Sequence, residues 1–315
     1  MTQPDAIALE NNVSLYRPEE ELLSQISKET IVRWNEPLAG RTTLRVGGPA
    51  DLYIEPASER DLTEVVRFCA RHKIVFFVLG RGSNLLVRDG GFRGAVICLA
   101  QPHFARISVE GQCLRCGSGA KLKTVAVEAK RNGLAGFEFL EGIPGTVGGG
   151  LRMNAGAMGG AIFDRVESVR LMDFLGYVTD KPANEIRVEY RGCPTLRTRI
   201  ALGAVLKGQT APRDAIEKRM GDYSKKRWSS QPAAPSAGCI FKNPASIPAG
   251  KLIDELGLKG ARVGGAYVSA EHGNFIVNDG SASAQDVLDL IDLIRQRARE
   301  KRGLELETEV EIIGS

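Results

Sequence analysis

Apolar positions recur along the chain with two periods, helical and alternating, and together they predict an α+β protein. Leu22, Leu23 and Ile26 share one face of a short helix with Pro18 in its first turn. Leu62, Val65, Val66 and Cys69 follow at i, i+3, i+4 and i+7, after Ser58 with Asp61 three residues on, the signature of a capped N-terminus. A third helix covers Leu122–Arg131 and stops at Asn132-Gly133. Pro212 opens a basic helix that runs to about Arg227, and Pro248 opens another that ends at Gly257. Ser283 caps a long helix with Val287, Leu290, Ile291 and Ile294 inside. It ends in Arg297, Arg299, Lys301 and Arg302 before Gly303, as the helix dipole favours.

Strands are expected at Asp51–Glu55, Ile74–Leu79, Leu85–Val87, Ala95–Leu99 and Ile107–Val109, with β-rich sequence on to about Lys207. At the end of the chain Leu304, Leu306, Thr308, Val310 and Ile312 alternate with Glu305, Glu307, Glu309 and Glu311, which predicts a strand with one wet face. Residues 1–17 read as a loose lead-in, and the Pro/Ser/Ala loop from Ser229 to Ser236 suits a domain boundary.

Composition narrows the function classes. With 315 residues, 43% hydrophobic and 25% charged, the chain has room for one large domain or two to three smaller ones. A net charge of +4 is too mild for nucleic acid and suits small anionic ligands. The first thirty residues lack an apolar export segment, and the longest apolar run, Ile74–Leu79, falls far short of the ~20 residues of a membrane helix. The expectation is therefore a cytoplasmic protein without membrane or nucleic-acid partners. Of six cysteines only Cys113 and Cys116 form a C-x-x-C, and the three histidines, His72, His103 and His272, are scattered, so no metal is expected.

Glycine is the outlier, at 36 residues. Eight of the nineteen residues from Gly142 to Gly160 are glycine, interleaved with Ile143, Val147, Leu151 and Met153 rather than with the serine of a linker. Such a tract lets backbone approach a ligand closely and turn its N–H groups toward one anion, a phosphate or pyrophosphate. A second glycine loop, Gly80-Arg81-Gly82-Ser83-Asn84, follows a strand. The third glycine of a dinucleotide fingerprint is missing, because Leu85 stands there, and no phosphate-binding GxxxxGK[ST] occurs. The loop reads as a phosphate cradle of another kind, with the Ser83 and Asn84 side chains beside its amides. Three further features are ordinary when taken alone. Ser236 to Pro244 reads as a strand with Cys239, Phe241 and Asn243 on one face and Lys242 on the other. Arg191 reads as a loop arginine, and Glu309 as part of a wet strand face.

Six segments in order give these features an owner: Thr43-Leu44-Arg45-Val46-Gly47-Gly48-Pro49-Ala50; Leu79 to Val87; Gly142 to Gly149 with Met153-Asn154-Ala155-Gly156; Tyr190-Arg191; Gly238 to Pro244; and Glu307-Thr308-Glu309-Val310. Over roughly residues 40–313 the chain resembles the UDP-N-acetylenolpyruvoylglucosamine reductase (UDP-N-acetylmuramate dehydrogenase) family of bacterial peptidoglycan synthesis. The resemblance implies an FAD-binding domain of the vanillyl-alcohol-oxidase/p-cresol-methylhydroxylase type, built of two α+β subdomains, plus a C-terminal α+β substrate-binding domain. The boundaries implied are a lead-in with a short helix over 1–40, the FAD-binding domain over 41–210 split near residue 100, and the substrate domain over 211–315, whose last strand returns to the active site. FAD is expected to be non-covalent, with NADPH as co-substrate and a monomeric enzyme.

The resemblance assigns FAD to Gly47, to Gly80, Arg81, Gly82, Ser83, Asn84 and Leu85, and to Ile143, Pro144, Gly145, Thr146, Gly148, Gly149, Asn154, Ala155 and Gly156. It assigns substrate contacts to Tyr190, Gln231, Lys242 and Asn243, with Arg227, Gln231 and Lys251 as candidates for the UDP pyrophosphate. In the implied reaction flavin N5 delivers hydride to C3 of the enolpyruvyl group, Arg191 and Glu309 flank its carboxylate, and residue 239 protonates C2. That residue is serine in most of the family and cysteine here. Cys239 is expected to keep the acid role, with nearby Lys242 lowering its pKa and making the enzyme sensitive to thiol alkylation. Cys193 stands where the family has serine and is read as a packing variant. The short spacing from Arg191 to Cys239 implies the subgroup without a tyrosine-bearing insertion. The alternative is an oxidase of the same fold acting on an alcohol or sugar. Such enzymes often tether flavin through histidine, and neither glycine-rich segment contains one.

Overall fold

The computed structural model of the protein describes residues 18–315, so the expected lead-in over 1–17 lies outside the described residues. The first unit is a four-stranded sheet of β1 (Ile31–Pro37), β2 (Pro49–Glu55), β3 (Phe76–Leu79) and β5 (Phe92–Cys98), in the order β1-β2-β5-β3. β1 is antiparallel to β2, and the other pairs are parallel. Helices α1 (Pro18–Gln25) and α2 (Glu59–Arg71) cover it, with Leu22, Leu62, Val65, Val66 and Phe68 packed on Leu52, Ile54 and Ile97. α2 begins as the pattern predicts, because the Ser58 hydroxyl accepts the Asp61 N–H at 3.1 Å.

β4 (Leu85–Val87) stands apart from this sheet. The second unit is a five-stranded antiparallel sheet of β6 (Ile107–Glu110), β7 (Cys113–Gly117), β8 (Val166–Asp173), β9 (Val178–Pro182) and β10 (Arg199–Lys207), in the order β9-β8-β10-β7-β6. It carries α3 (Leu122–Arg131) and a short α4 (Val147–Arg152) inside the glycine tract, where Thr146 caps the first turn. After α5 (Arg213–Trp228) comes the third unit, an antiparallel sheet of β11 (Ser236–Cys239), β12 (Arg262–Val263), β13 (Ala266–Val268) and β14 (Phe275–Asn278), ordered β11-β14-β13-β12. It is covered by α6 (Ala249–Glu255) and α7 (Ala284–Arg302). The last strand, β15 (Glu311–Ile313), leaves that unit and pairs in parallel with β4, Glu311 opposite Leu85. No helix among the described residues is long and apolar enough to cross a membrane.

Three expectations are corrected. β1 lies within the stretch read as lead-in, yet it pairs with β2 from Ile31 to Pro37, so the first sheet begins before residue 40. α5 was expected to open the substrate domain at residue 211. Its Ile216 and Met220 instead share a core with Leu122, Val125 and Leu140 of the second unit. The break therefore falls in the loop after Trp228. The alternation from Leu304 to Ile312 was expected to be one strand. Leu306 and Val310 are buried as the alternation requires, but only Glu311–Ile313 forms a ladder. The residues before it cross beside β11 through a single bridge, Phe241 to Thr308.

The third unit is tied to the first by a shared helix cap. The Asp89 carboxylate, just after β4, accepts the Ala284 and Gln285 N–H groups of α7 at 2.8 and 2.9 Å. Ser283 caps the same end from within, and the two together satisfy donors that a helix N-terminus otherwise leaves open. Asp89→Ala is expected to lower stability by about 1–2 kcal/mol in chemical denaturation. It should also raise amide exchange selectively in the first turn of α7.

Candidate active site

Three cavities meet at Leu79, Gly80 and Arg81. The central one, about 250 Å³, is lined by residues 80–85, by Ile143–Thr146, and by Arg191, Cys239 and Glu309. The second, about 590 Å³, lies between the first two sheets, with Phe76–Arg81 on one wall and Ser118–Lys121 on the other. It joins the central cavity along Thr146, Gly149 and Arg152. The third, about 690 Å³, opens past Ser83 and Gly238 toward Arg41, Arg45 and the loop after Trp228. A fourth, about 330 Å³, lies beyond Cys239 and is lined by Asn243, Lys251, Lys259, His272 and Asn274.

The trough formed by the central and inter-sheet cavities fits an extended dinucleotide such as FAD. The amide N–H groups of Arg81, Gly82, Ser83 and Asn84 have no acceptor among the described residues, so the loop offers a row of free donors. The Ser118 hydroxyl on the inter-sheet wall is buried and unpartnered. The glycines divide by cause. Gly82 is fixed by the fold, with φ +64° and a Cβ that would meet the Arg41 carbonyl at 2.5 Å. Gly148 is likewise close, with Ser118 Cβ at 3.0 Å. Gly149 has ordinary φ and its Cβ would find nothing nearer than Thr146 Oγ1 at 3.7 Å, while Gly145 would meet Leu122 at 3.4 Å. The protein's own packing does not demand glycine at these two positions, and both line the trough. Without side chains there, the backbone leaves the floor of the trough open to a planar group.

Arg191, Cys239 and Glu309 come from three distant parts of the chain. Arg191 sits at φ +55° in a tight turn closed by hydrogen bonds between Glu189 and Gly192. The Asn154 amide reaches the Glu189 carbonyl at 3.3 Å and ties this turn to the glycine tract. The Arg191 guanidinium donates to the Gly156 carbonyl at 3.0 Å, and its Nε lies 3.0 Å from a Glu309 carboxylate oxygen. The Nε–H does not point along that contact, so charge rather than a directed hydrogen bond holds the pair. Glu309 is pinned through its backbone: its N–H donates to Ile240 at 2.8 Å, and its carbonyl accepts the Asn84 side-chain amide at 3.0 Å. Burial raises the Glu309 pKa, against the opposing charges of Arg191 and Lys242.

Cys239 ends β11 beside Gly238, whose φ of +75° accompanies a register shift between Ser236 and Cys239. This shift corrects the expected face-sharing: Cys239 faces the central cavity, whereas Ile240 and Phe241 are both in the core. The expected lowering of the thiol pKa by Lys242 is also corrected. The Lys242 ammonium turns to Glu307 at 3.1 Å, and burial followed by the Glu309 charge pushes the Cys239 thiol up to about 11. Arg191, the polar side chain of Asn274 and Arg227 pull it only part of the way back. The group at this position is a protonated thiol.

Not every residue assigned from the sequence reaches a cavity. Gly47 lies away from them, with φ +114° and a Cβ that would strike Val87 at 2.5 Å. Asn154 serves the Arg191 turn, and Gly148 lines only the inter-sheet cavity. Tyr190 is 60% exposed, its ring 5.4 Å from the Arg191 guanidinium carbon. Gln231 and Arg227 line both the central and arginine-lined cavities, whereas Asn243 and Lys251 line the outer one. The Asn243 side-chain Oδ1 accepts the Ala249 N–H at 3.0 Å, a cap on α6. Cys193 is buried and its Sγ contacts the Arg187 carbonyl at 3.5 Å. Asn274 is a residue that patterning alone does not reveal. It is buried, and its side chain bonds both the N–H and the carbonyl of Phe241, at 2.9 and 2.8 Å, which holds the Cys239 segment in place. Arg152 and Glu311 are also missed: they pair at 2.7 Å in the wall of the central cavity.

The thiol's pKa makes a chemical prediction. Moving from 9.0 to about 11 cuts the thiolate fraction near neutrality about a hundredfold, so iodoacetamide should modify Cys239 about that much more slowly than an unperturbed thiol. The rate should climb with pH until about 11. Glu309→Gln removes the charge that disfavours the thiolate and should shift this profile to lower pH. An unchanged profile in that variant would exclude Glu309 as a cause.

Comparison with known proteins agrees with this geometry. The family model described as "UDP-N-acetylenolpyruvoylglucosamine reductase, C-terminal domain" matches residues 231–313, and one described as "FAD binding domain" matches residues 50–180. The UDP-N-acetylenolpyruvoylglucosamine reductase of Clostridioides difficile is 42% identical over 306 residues, 96% of this chain and 99% of that protein. That of Clostridium novyi is 41% identical over 295 residues, 93% of this chain and 95% of that protein. The crystal structure of the Thermus caldophilus enzyme superimposes with a TM-score of 0.78 at 38% identity, covering 91% of this chain and 99% of that one. With two glycine-lined cavities, an Arg–Glu pair at a thiol, and relatives matched along nearly their whole length, this chain belongs to the UDP-N-acetylenolpyruvoylglucosamine reductase family.

Proposed function

We propose that the chain reduces the enolpyruvyl group of UDP-N-acetylglucosamine enolpyruvate to the lactyl group of UDP-N-acetylmuramate, with NADPH as reductant. The supporting observation is the convergence of Arg191, Cys239 and Glu309 on the cavity that both glycine-rich segments line. FAD, when bound, supplies the hydride that it takes from NADPH and passes to C3 of the enolpyruvyl group. The residues 80–84 and 143–149 bind that cofactor through free backbone donors and missing side chains.

The protein's own residues do the rest. Arg191 holds the substrate carboxylate and stabilises the negative charge that spreads from C2 into it once C3 has gained its hydride. Glu309 keeps the guanidinium in position and, through its negative charge, adds to the burial that limits how far the thiol ionises before its turn. Cys239 gives its proton to C2, and the thiolate left behind is reprotonated from solvent. The balance is one hydride at C3 and one proton at C2. A thiol with a pKa near 11 suits this role: it stays protonated at neutral pH, yet it is far more acidic than the carbon it serves. The sugar-nucleotide end extends past Cys239 into the outer cavity, where Asn243 and Lys251 stand.

The pair Cys239→Ala and Cys239→Ser tests the acid. In anaerobic half-reactions, Cys239→Ala should leave flavin reduction by NADPH intact and slow reoxidation by the enolpyruvyl sugar nucleotide by about 10²–10⁴-fold. Cys239→Ser should recover most of that rate. Wild-type reoxidation in the alanine variant would remove the role from Cys239.

A further inference from the structure

Two arginine–glutamate pairs line the central cavity, and only one of them takes part in the proposed reaction. Arg191 pairs with Glu309, and Arg152 pairs with Glu311. The second pair is the more directed. Arg152 approaches both Glu311 oxygens, through Nη2 at 2.7 Å and Nε at 3.4 Å, and its Nη1 donates to the Leu196 carbonyl at 2.9 Å. The Arg191–Glu309 contact is the looser, since the Nε–H does not lie along it. Three segments meet at Arg152. It ends α4, whose cap and first turn, Thr146 and Gly149, line the trough. Leu196 lies in the turn that follows Arg191, and Glu311 stands two residues after Glu309.

Glu309 and Glu311 thus bring two carboxylates into one cavity whose substrate carries a third. Without a counter-ion of its own, Glu311 would draw on Arg191 and repel the incoming anion, and both effects grow as bound ligands displace water. We propose that Arg152 is a positioning residue for the reduction: it neutralises Glu311 and so reserves Arg191 for Glu309 and the substrate carboxylate. The proposal rests on the reading that places an enolpyruvyl carboxylate at Arg191. It also separates charge from shape. A hydrogen-bonding bracket between α4, Leu196 and the last strand needs the forked guanidinium, whereas a counter-ion needs only its positive charge.

Arg152→Gln, Arg152→Lys and the double variant Arg152→Gln/Glu311→Gln tell the two apart. With FAD bound, KM for UDP-N-acetylglucosamine enolpyruvate should rise about tenfold or more in Arg152→Gln, the order expected for one uncancelled charge at an anion site. Arg152→Lys keeps the charge without the fork and should recover most of that loss. The double variant removes both charges and should recover most of it too. No rise in Arg152→Gln, or a lysine or double variant as impaired as Arg152→Gln, overturns the proposal. A second readout needs no substrate. Arg191, Arg227 and Glu309 are the charged groups that act on the Cys239 thiol, and Arg191 favours its ionisation. Drawing Arg191 toward Glu311 weakens that effect. The iodoacetamide profile of Cys239 should therefore move to higher pH in Arg152→Gln and return in the double variant; a profile that stays in place overturns the proposal. If Arg152→Gln does not fold, the other two variants carry the test, and a tenfold rise in KM in either one overturns it. Wild-type protein that fails to oxidise NADPH in the presence of the sugar nucleotide would refute the proposed function itself. With a working wild type, these outcomes bear on Arg152 alone.

Discussion

The site depends on where the peptide of Glu309 is held. Its N–H is bonded to Ile240, the residue after Cys239, and its carbonyl to the side chain of Asn84 in the first glycine loop. Two residues on, the Glu311 N–H bonds the Asn84 carbonyl at 3.0 Å, and the strand then runs beside β4 in register. Through these three bonds the end of the chain is fixed simultaneously to the Gly80–Asn84 loop and to the strand carrying the thiol. Remove them and Glu309 becomes one more glutamate on a wet strand. With them, its carboxylate is buried against Arg191 and close enough to Cys239 to add its charge to the burial that raises the thiol's pKa. A second pair, Arg152–Glu311, joins α4 to the last strand two residues further on.

The cysteine at position 239 fits this electrostatic setting. A thiol beside a cation without that burial would ionise more readily and act as a nucleophile, open to alkylation and oxidation. Burial and the neighbouring carboxylate keep it an acid. The burial and charges around Cys239 thus leave the thiol protonated. The turn carrying Arg191 shows a comparable trade. A non-glycine residue at positive φ costs on the order of 1–3 kcal/mol, and the hydrogen bonds from Glu189, Gly192 and Asn154 hold it there.

Much of the fold was legible because its signals are local. Ser58 and Ser283 cap the helices they were read to cap, and Gly303 ends α7 at φ +61°. The readings that changed depend on partners far away in sequence. β1 has no fully buried residue and mixes Ile31, Val32 and Trp34 with Arg33, Asn35 and Glu36, so its pairing with β2 is what identifies it as part of the sheet. The break after α5 is set by where Ile216 and Met220 find a core, which periodicity does not reveal. The final alternation did mark a buried face, but its apolar residues pack without a ladder until β4 offers one. In the site, Arg191, Cys239 and Glu309 were identifiable only through the family's motifs. The roles of Asn84 and Asn274 as clamps required the structure, since both are ordinary polar residues until their hydrogen bonds are seen.

The central claim is that one cavity passes electrons from NADPH to an enolpyruvyl ether, and it is tested most directly in a single anaerobic titration. NADPH should bleach the bound flavin, and the colour should persist as reduced until UDP-N-acetylglucosamine enolpyruvate is added. One equivalent should then restore the oxidised spectrum and yield one equivalent of the lactyl product. Flavin that stays reduced after the sugar nucleotide is added, or that NADPH never reduces, would contradict the account.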